Sequence, residues 1–188
     1  MSRPETLLLL SGEICAGKSS VAKVLIQEFN FRPIETGKFL KSKATKLGLS
    51  TDRKSLQKLG NQLDVDTGGE WLIDLMEFFK EPSEATKTYL LDSVRKDFQI
   101  QIFRNLTALN VAHIHVTAPE KAKKSRYELR RETLEHDSQI SYEDAINEET
   151  ELGVKRLQNL ADLVLDTNNI SPAQSAEQVV QFLTSRNE

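Results

Sequence analysis

The segment Thr6-Leu7-Leu8-Leu9-Leu10-Ser11 runs directly into Gly12-Glu13-Ile14-Cys15-Ala16-Gly17-Lys18-Ser19, and this junction limits the fold more than any other part of the chain. Four consecutive leucines show no polar–apolar alternation, so the strand they predict is covered on both faces, as in the middle of a parallel sheet. After the loop, Val21, Val24, Leu25 and Phe29 recur at helical spacing and predict an amphipathic helix over Lys18–Phe29. A strand, a glycine-punctuated loop and a helix in that order fit G-x-x-x-x-G-K-[ST] at every fixed position. Gly12 and Gly17 permit turns that aim successive backbone N–H groups inward, making a nest for an anion. The helix starting near Lys18 adds the positive end of its dipole. Gly12, Glu13, Ile14, Cys15, Ala16, Gly17, Lys18, Ser19 and Ser20 are therefore expected to cradle the phosphates of a nucleotide. In that arrangement Lys18 reaches the β- and γ-phosphates and Ser19 holds Mg²⁺.

The rest of the chain repeats the strand–helix alternation. Strand patterns recur at residues 31–35, 88–92, 111–117 and 162–166. Helical patterns cover Gly37–Leu47, Asp52–Leu63, Glu70–Lys80, Glu120–Glu135, Tyr142–Leu160 and Pro172–Arg186. Phe98, Ile102, Phe103 and Leu106 share one helical face and supply a crossover helix. Thr51 or Asp52 caps the helix that follows it, Ser171 caps the last helix with Pro172 in its first turn, and Gly153 breaks the helix around it. The predicted class is α/β, a three-layer αβα P-loop fold with a short parallel sheet.

Length and composition agree. A chain of 188 residues, with 38% hydrophobic and 28% charged residues, suits one soluble domain and is too apolar for global disorder. The leucine run falls far short of the roughly 20 residues a membrane span needs and lacks the flanks of a signal peptide. Cys15 is the sole cysteine, so no internal disulfide can form and a reducing cytoplasm is expected. The formal charge of −3 gives no global pull toward nucleic acid. No Asn-Lys-x-Asp follows a strand, which argues against a GTPase, and Asp66-Thr67-Gly68-Gly69 follows a helix pattern instead of a strand.

Five further stretches make the chain resemble the nucleoside monophosphate kinase-like branch of P-loop kinases, which includes adenylate kinases, dephospho-CoA kinase and phage-type deoxynucleoside monophosphate kinases. Glu35-Thr36-Gly37-Lys38-Phe39-Leu40-Lys41 is similar to the family's acceptor motif, with Lys38 where the family has Asp and Lys41 where it has Arg. Tyr89-Leu90-Leu91-Asp92-Ser93-Val94-Arg95 is similar to the strand ending in Asp-Gly-x-Arg, with Ser93 in place of Gly. Ala118-Pro119 followed by Arg126, Tyr127, Arg130 and Arg131 resembles the arginine-bearing lid. Glu148–Gly153 and Asn159–Asp162 resemble the segment before the final strand. Arg53, Gln57, Leu59-Gly60 and Gly69-Glu70-Trp71 resemble the helical insert of the phage-type enzymes.

The resemblance implies a single kinase domain over residues 1–188, with an acceptor-side insert at about 37–80 and a lid at about 120–140. It implies transfer of the ATP γ-phosphoryl group to a nucleotide or nucleotide-like acceptor, a (deoxy)nucleoside monophosphate first. Lys18, Asp92, Arg126 and Arg130 would be catalytic, and Ser19 and Asp92 would hold the metal. Thr36, Lys41, Arg53, Gln57, Trp71 and Arg95 would bind the acceptor, and Thr167 to Asn169 the adenine. Alternatives within the resemblance are dephospho-CoA, a modified base in DNA, or a nucleotide-binding regulator with impaired transfer. A polymer acceptor would want a basic groove, for which Arg104, Lys38, Lys41 and Lys43 are the candidates. The expected cofactors are ATP and Mg²⁺, and the expected assembly is a monomer or homodimer away from membranes.

Three further features receive plainer readings. His113 and His115 alternate in a strand and share a sheet face, with no third ligand nearby for a metal, so they are structural. Cys15 lies in the positive nest, which favours its thiolate. Lys121, Lys123 and Lys124 form a solvated face.

Overall fold

The leucine run does become the central strand. The computed structural model describes residues 5–80, 88–106, 108–133 and 140–186. In chain order these form β1 (Glu5–Gly12), α1 (Lys18–Glu28), β2 (Arg32–Pro33), α2 (Thr36–Lys46), α3 (Arg53–Thr67) and α4 (Trp71–Phe79). They continue with β3 (Thr88–Leu91), α5 (Asp97–Arg104), β4 (Leu109–Thr117), α6 (Glu120–Thr133), α7 (Tyr142–Ile146) and α8 (Glu149–Arg156). A 3-10 turn (Leu157–Leu160), β5 (Leu163–Asp166) and α9 (Pro172–Ser185) complete them. The strands lie in the order β2-β3-β1-β4-β5 and every pairing is parallel. Leu7 stands opposite both Tyr89 and Val111, and Gly12 opposite Val116.

Parallel strands need helical crossovers, and these cover both faces of the sheet. Leu8 and Leu10 pack with Val21 and Leu25 of α1 and with Ala176 and Val179 of α9. Leu7 and Leu9 pack on the opposite face with Phe39, Trp71, Leu75 and Phe103 from α2, α4 and α5. All four leucines are fully buried, which at about 2 kcal/mol each is a large share of what fixes this strand at the centre.

The cap readings hold at both helices. Asp52 accepts a hydrogen bond from the Ser55 N–H at 3.0 Å. Ser171 and Gln174 cap each other reciprocally, with Pro172 in the first turn. Two boundaries differ from expectation. β2 pairs only at Arg32–Pro33, because a proline lacks the N–H that a longer ladder requires and is tolerated only at a sheet edge. The helix expected over 142–160 breaks at Asn147–Glu148, where Glu148 turns extended (φ −59°, ψ 138°), and Gly153 continues inside α8. The end of the charged helix at Glu135 and the far part of the expected lid, residues 134–139, lie outside the described residues. No helix among the described residues is long and apolar enough to cross a membrane.

Candidate active site

With β1 central, its C-terminal end opens where the crossovers diverge to either side, the place where ligands bind in open parallel sheets. The loop there is shaped by two glycines. A Cβ on Gly12 would lie 2.5 Å from the Val116 carbonyl oxygen, so β1 and β4 approach too closely there for any other residue. Gly17 adopts φ +97°, the left-handed region, immediately before α1. Cys15 also takes a positive φ, 57°. Among the described residues, no side chain caps α1 and no acidic residue occupies its first turn, so nothing on the helix itself offsets its positive end.

Residues 12–20 line a cavity of about 630 Å³ together with Arg53, Arg95, Arg126 and Arg130. Lys18 donates from Nζ to the carbonyl of Asp92 at the end of β3, which holds the ammonium across the mouth of the sheet. Burial pushes the Lys18 pKa below the usual lysine value, with the Asp92 charge pulling the other way. Ser19 and Ser20 are exposed at the rim.

A second cavity of about 660 Å³ adjoins, lined by Thr36, Lys38, Lys41, Asp92 and Ser93 over an apolar floor of Ile26, Ile34 and Leu90. The Thr36 and Ser93 hydroxyls are hydrogen bonded at 2.7 Å, tying the start of α2 to the end of β3. Asp92 thus belongs to both sides, its backbone anchoring Lys18 and its half-buried residue lining the second cavity. The hydroxyl of Ser19 and the carboxylate of Asp92 are the hard oxygen donors that suit Mg²⁺, which takes one or two protein oxygens and fills its octahedron with phosphate oxygens and water. Among the described residues there is no cluster of three His, Cys, Asp or Glu that would form an all-protein metal cage.

Arg126 reaches inward from α6. Its guanidinium donates to the Cys15 carbonyl at 3.3 Å, to Thr167 Oγ1 at 3.0 Å and to the Thr167 carbonyl at 3.1 Å. Thr167 in turn donates from Oγ1 to the Ala16 carbonyl at 2.7 Å. Thr167 is consequently buried beneath the loop as a brace, and Thr167, Asn168 and Asn169, the expected adenine contacts, line neither cavity. Arg130, one turn further along α6, lines the first cavity.

Several expectations are corrected here. Trp71 is only 4% exposed, stacks on Phe39 at 5.8 Å and donates its indole N–H to Asp64 at 2.7 Å, so it has no free face for a base. Gln57 is exposed and lines neither cavity, whereas Arg53 and Arg95 line the first and Lys41 the second. Arg104 belongs to no basic groove, since it pairs with Asp162 at 3.0 Å and with the Leu160 carbonyl. Burial raises the Cys15 thiol above its ordinary pKa, and nearby Arg130 and Arg126 only partly offset this, so the thiolate is disfavoured.

Lys123 is not solvated. Its side chain is 4% exposed and bridges Glu13 at 2.8 Å and Glu120 at 2.9 Å. Burial works against its charge, but the bonds to the two carboxylates outweigh that and hold its pKa above the usual lysine value. Glu120 also accepts from the Tyr142 hydroxyl at 2.6 Å. The loop is thereby tied to α6 and α7 through side chains. The sequence offered no signal for the Glu13 pairing beyond a glutamate inside the loop, because the partners are 110 residues apart.

The histidines are structural, as read. Ser11 Oγ lies 2.7 Å from His113 Nε2 and 2.8 Å from His115 Nδ1, all three side chains fully buried. Burial lowers both imidazole pKa values, that of His115 to about 4. Two acids lining the first cavity, Glu148 and Glu151, were given no role at the site by the sequence, and Glu151 of α8 accepts from the backbone N–H of Ile14 at 2.9 Å.

A family model described as an AAA domain matches residues 14–147. No curated protein matches the sequence. Among solved structures the chain is similar to a sugar kinase from Janibacter (16% identity, covering 96% of this chain and 95% of that one, TM-score 0.56). It is similar to a shikimate kinase from Aquifex aeolicus (15% identity, 96% and 98%, TM-score 0.54). It is also similar to a gluconokinase from Sinorhizobium meliloti (14% identity, 100% and 95%, TM-score 0.53). At these identities what is shared is the α/β P-loop kinase fold.

Proposed function

The chain belongs to this AAA domain family, and from its two adjoining cavities we propose that it transfers the γ-phosphoryl group of ATP to a small anionic acceptor. The observation that carries this reading is Asp92. Its carbonyl anchors the phosphate-loop lysine while the residue itself lines the second cavity, so donor and acceptor would meet at one point. Phosphoryl transfer needs little covalent help from a protein, and positioning with charge neutralisation supplies most of the rate. Lys18 and the loop N–H groups would hold the donor phosphates, and Arg130 would approach them from α6. Arg126 would act one step removed, by fixing α6 to the loop. Mg²⁺ bound by Ser19 and Asp92 would neutralise charge on the phosphate oxygens. As the acceptor oxygen bonds to phosphorus the bond to ADP breaks, and a hydroxyl acceptor, unlike an ionised phosphate, would pass its proton to the Asp92 carboxylate oxygen left free by the metal.

A nucleoside monophosphate remains within this class, supported by Arg53 and Arg95 at the phosphate cavity. The second cavity, however, has no aromatic residue among its described lining residues, and its cations are Lys38 and Lys41. That lining favours an acceptor held by charge and hydroxyl groups over one held by a stacked base, in keeping with structural neighbours named as sugar kinase, shikimate kinase and gluconokinase. ADP release from Mg-ATP should be measured with nucleoside monophosphates, dephospho-CoA, sugars and sugar acids, with Lys18→Ala as control. The expected result is release that depends on one acceptor class and falls at least a hundredfold in the variant. Silence across the panel with ATP binding intact would overturn transfer and leave a nucleotide-binding regulator.

A further inference from the structure

Lined by Lys18 and four arginines, the phosphate cavity nonetheless receives a carboxylate. Glu151 projects from α8 onto the loop and its Oε2 accepts the Ile14 N–H at 2.9 Å. That N–H belongs to the nest between Gly12 and Gly17, whose purpose in the proposed reaction is to receive phosphate oxygen. A glutamate carboxylate matches phosphate in charge and in hydrogen-bonding role, since both accept from backbone N–H groups. Of the other acids lining this cavity, Glu13 is neutralised by Lys123 and Glu148 stands at the start of α8 with no bond to the loop among the described residues. Among the described residues Glu151 forms no ion pair of this kind, although its charge is felt by Lys18 in the same cavity, and what it holds is a donor that a bound anion would use.

We propose that Glu151 is an intramolecular competitor for nucleotide phosphate, filling the nest while it is empty and leaving when a polyphosphate enters. The inference rests on the reading that this loop binds nucleotide, but not on the identity of the acceptor or on transfer taking place. One N–H cannot serve both anions, and like charges at contact distance repel strongly where water is excluded. Release needs no large rearrangement. Glu151 lies in the first turn of α8, next to the break at Asn147–Glu148 that separates α8 from α7. The same helix runs against the acceptor side, where a Cβ built on Gly153 would lie 3.8 Å from the Arg95 carbonyl. Departure of Glu151 would therefore be felt at the segment following Asp92. Specificity follows as well: a ligand must bring enough phosphate charge to displace the carboxylate, which disfavours ligands whose phosphates do not reach Ile14.

The test is calorimetric binding of ATP and of inorganic tripolyphosphate to the full chain, comparing wild type, Glu151→Gln and Glu151→Ala, with Lys18→Ala as the site control. Glutamine keeps an oxygen for the Ile14 N–H but carries no charge. Competition predicts that both variants bind tripolyphosphate about tenfold more tightly or better, the effect of removing a charge-assisted hydrogen bond from the free state. Glu151→Asp, whose carboxylate is one methylene shorter, should fall between wild type and glutamine and provides a third reading if alanine fails to fold. Unchanged or weaker binding in the glutamine variant, with thermal unfolding of the ligand-free protein near wild type, would overturn the proposal and make Glu151 a brace or a ligand-binding group. If wild type binds neither ATP nor tripolyphosphate, the nucleotide reading fails and this inference fails with it. If binding tightens in the variants but no acceptor is phosphorylated, the inference stands and only transfer is lost.

Discussion

The two walls of the phosphate cavity are built from different materials. On one side stands the loop, shaped by backbone: Gly12 pressed against the Val116 carbonyl, Gly17 in a left-handed turn, and a buried leucine strand behind them. On the other stand α6, α7 and α8, held to that loop by side chains: Lys123 to Glu13, Arg126 to Cys15 and Thr167, Glu151 to Ile14. A backbone wall has few ways to relax and one geometry. A side-chain wall can be unpinned bond by bond, which suits elements that must approach and leave a substrate.

The sharpest way to break this contrast is to strike the backbone wall. Gly12→Ala places a methyl where 2.5 Å separates it from backbone, so ATP binding should be lost and stability should fall by about 2–3 kcal/mol. Calorimetry and urea melts would check both, and near-normal binding would show that the β1–β4 approach can open.

A blow to the other wall should destabilise without erasing the nucleotide site. Lys123→Ala strands Glu13 without its counter-charge and is expected to lower stability by about 3 kcal/mol, while the double change with Glu13→Gln recovers most of the loss. Urea melts of the single and double variants decide it: equal stability in the two would mean that the pair is not what joins the walls.

The smallest expected effect comes through pH, behind the loop. Burial depresses both imidazoles, and folded His115 stays neutral down to about 4. The unfolded chain takes up protons on these side chains as pH falls through about 6.5, their ordinary value, so it binds more protons than the folded chain in this window. Stability is complete above that value and declines toward about 4, with about 2 kcal/mol lost for His115 between pH 7 and pH 5. Melts at the two pH values in wild type and His115→Gln would test it, since the variant should lose most of the slope.

The same contrast explains what could be read from the sequence. Backbone features announce themselves through residues that few alternatives can replace: glycines at fixed spacing, an unbroken leucine run, Asp52 and Ser171 where helices begin. The alternation of His113 and His115 also placed them correctly on one face. Side-chain staples carry no such local mark. Lys123 beside Glu120 has the spacing of any solvated helix pair, and only the folded chain brings Glu13 to it. Glu151 meets Ile14 across 137 residues. Trp71 misled for a related reason, because its neighbours resemble an acceptor-binding insert while its indole packs on Phe39 in the core. The proline in β2 shortened a strand whose apolar pattern suggested more.

Thr167 gives this architecture a direction in time. Its hydroxyl holds the Ala16 carbonyl from 151 residues further along the chain. A ribosome adding roughly 5–20 residues per second would deliver Thr167 about 8 to 30 seconds after Ala16. Over that interval the glycine loop exists without the strand end that supports it from below. The loop thus takes its final shape only after a strand end made long after it has folded against it, so its local sequence pattern is not enough to complete it.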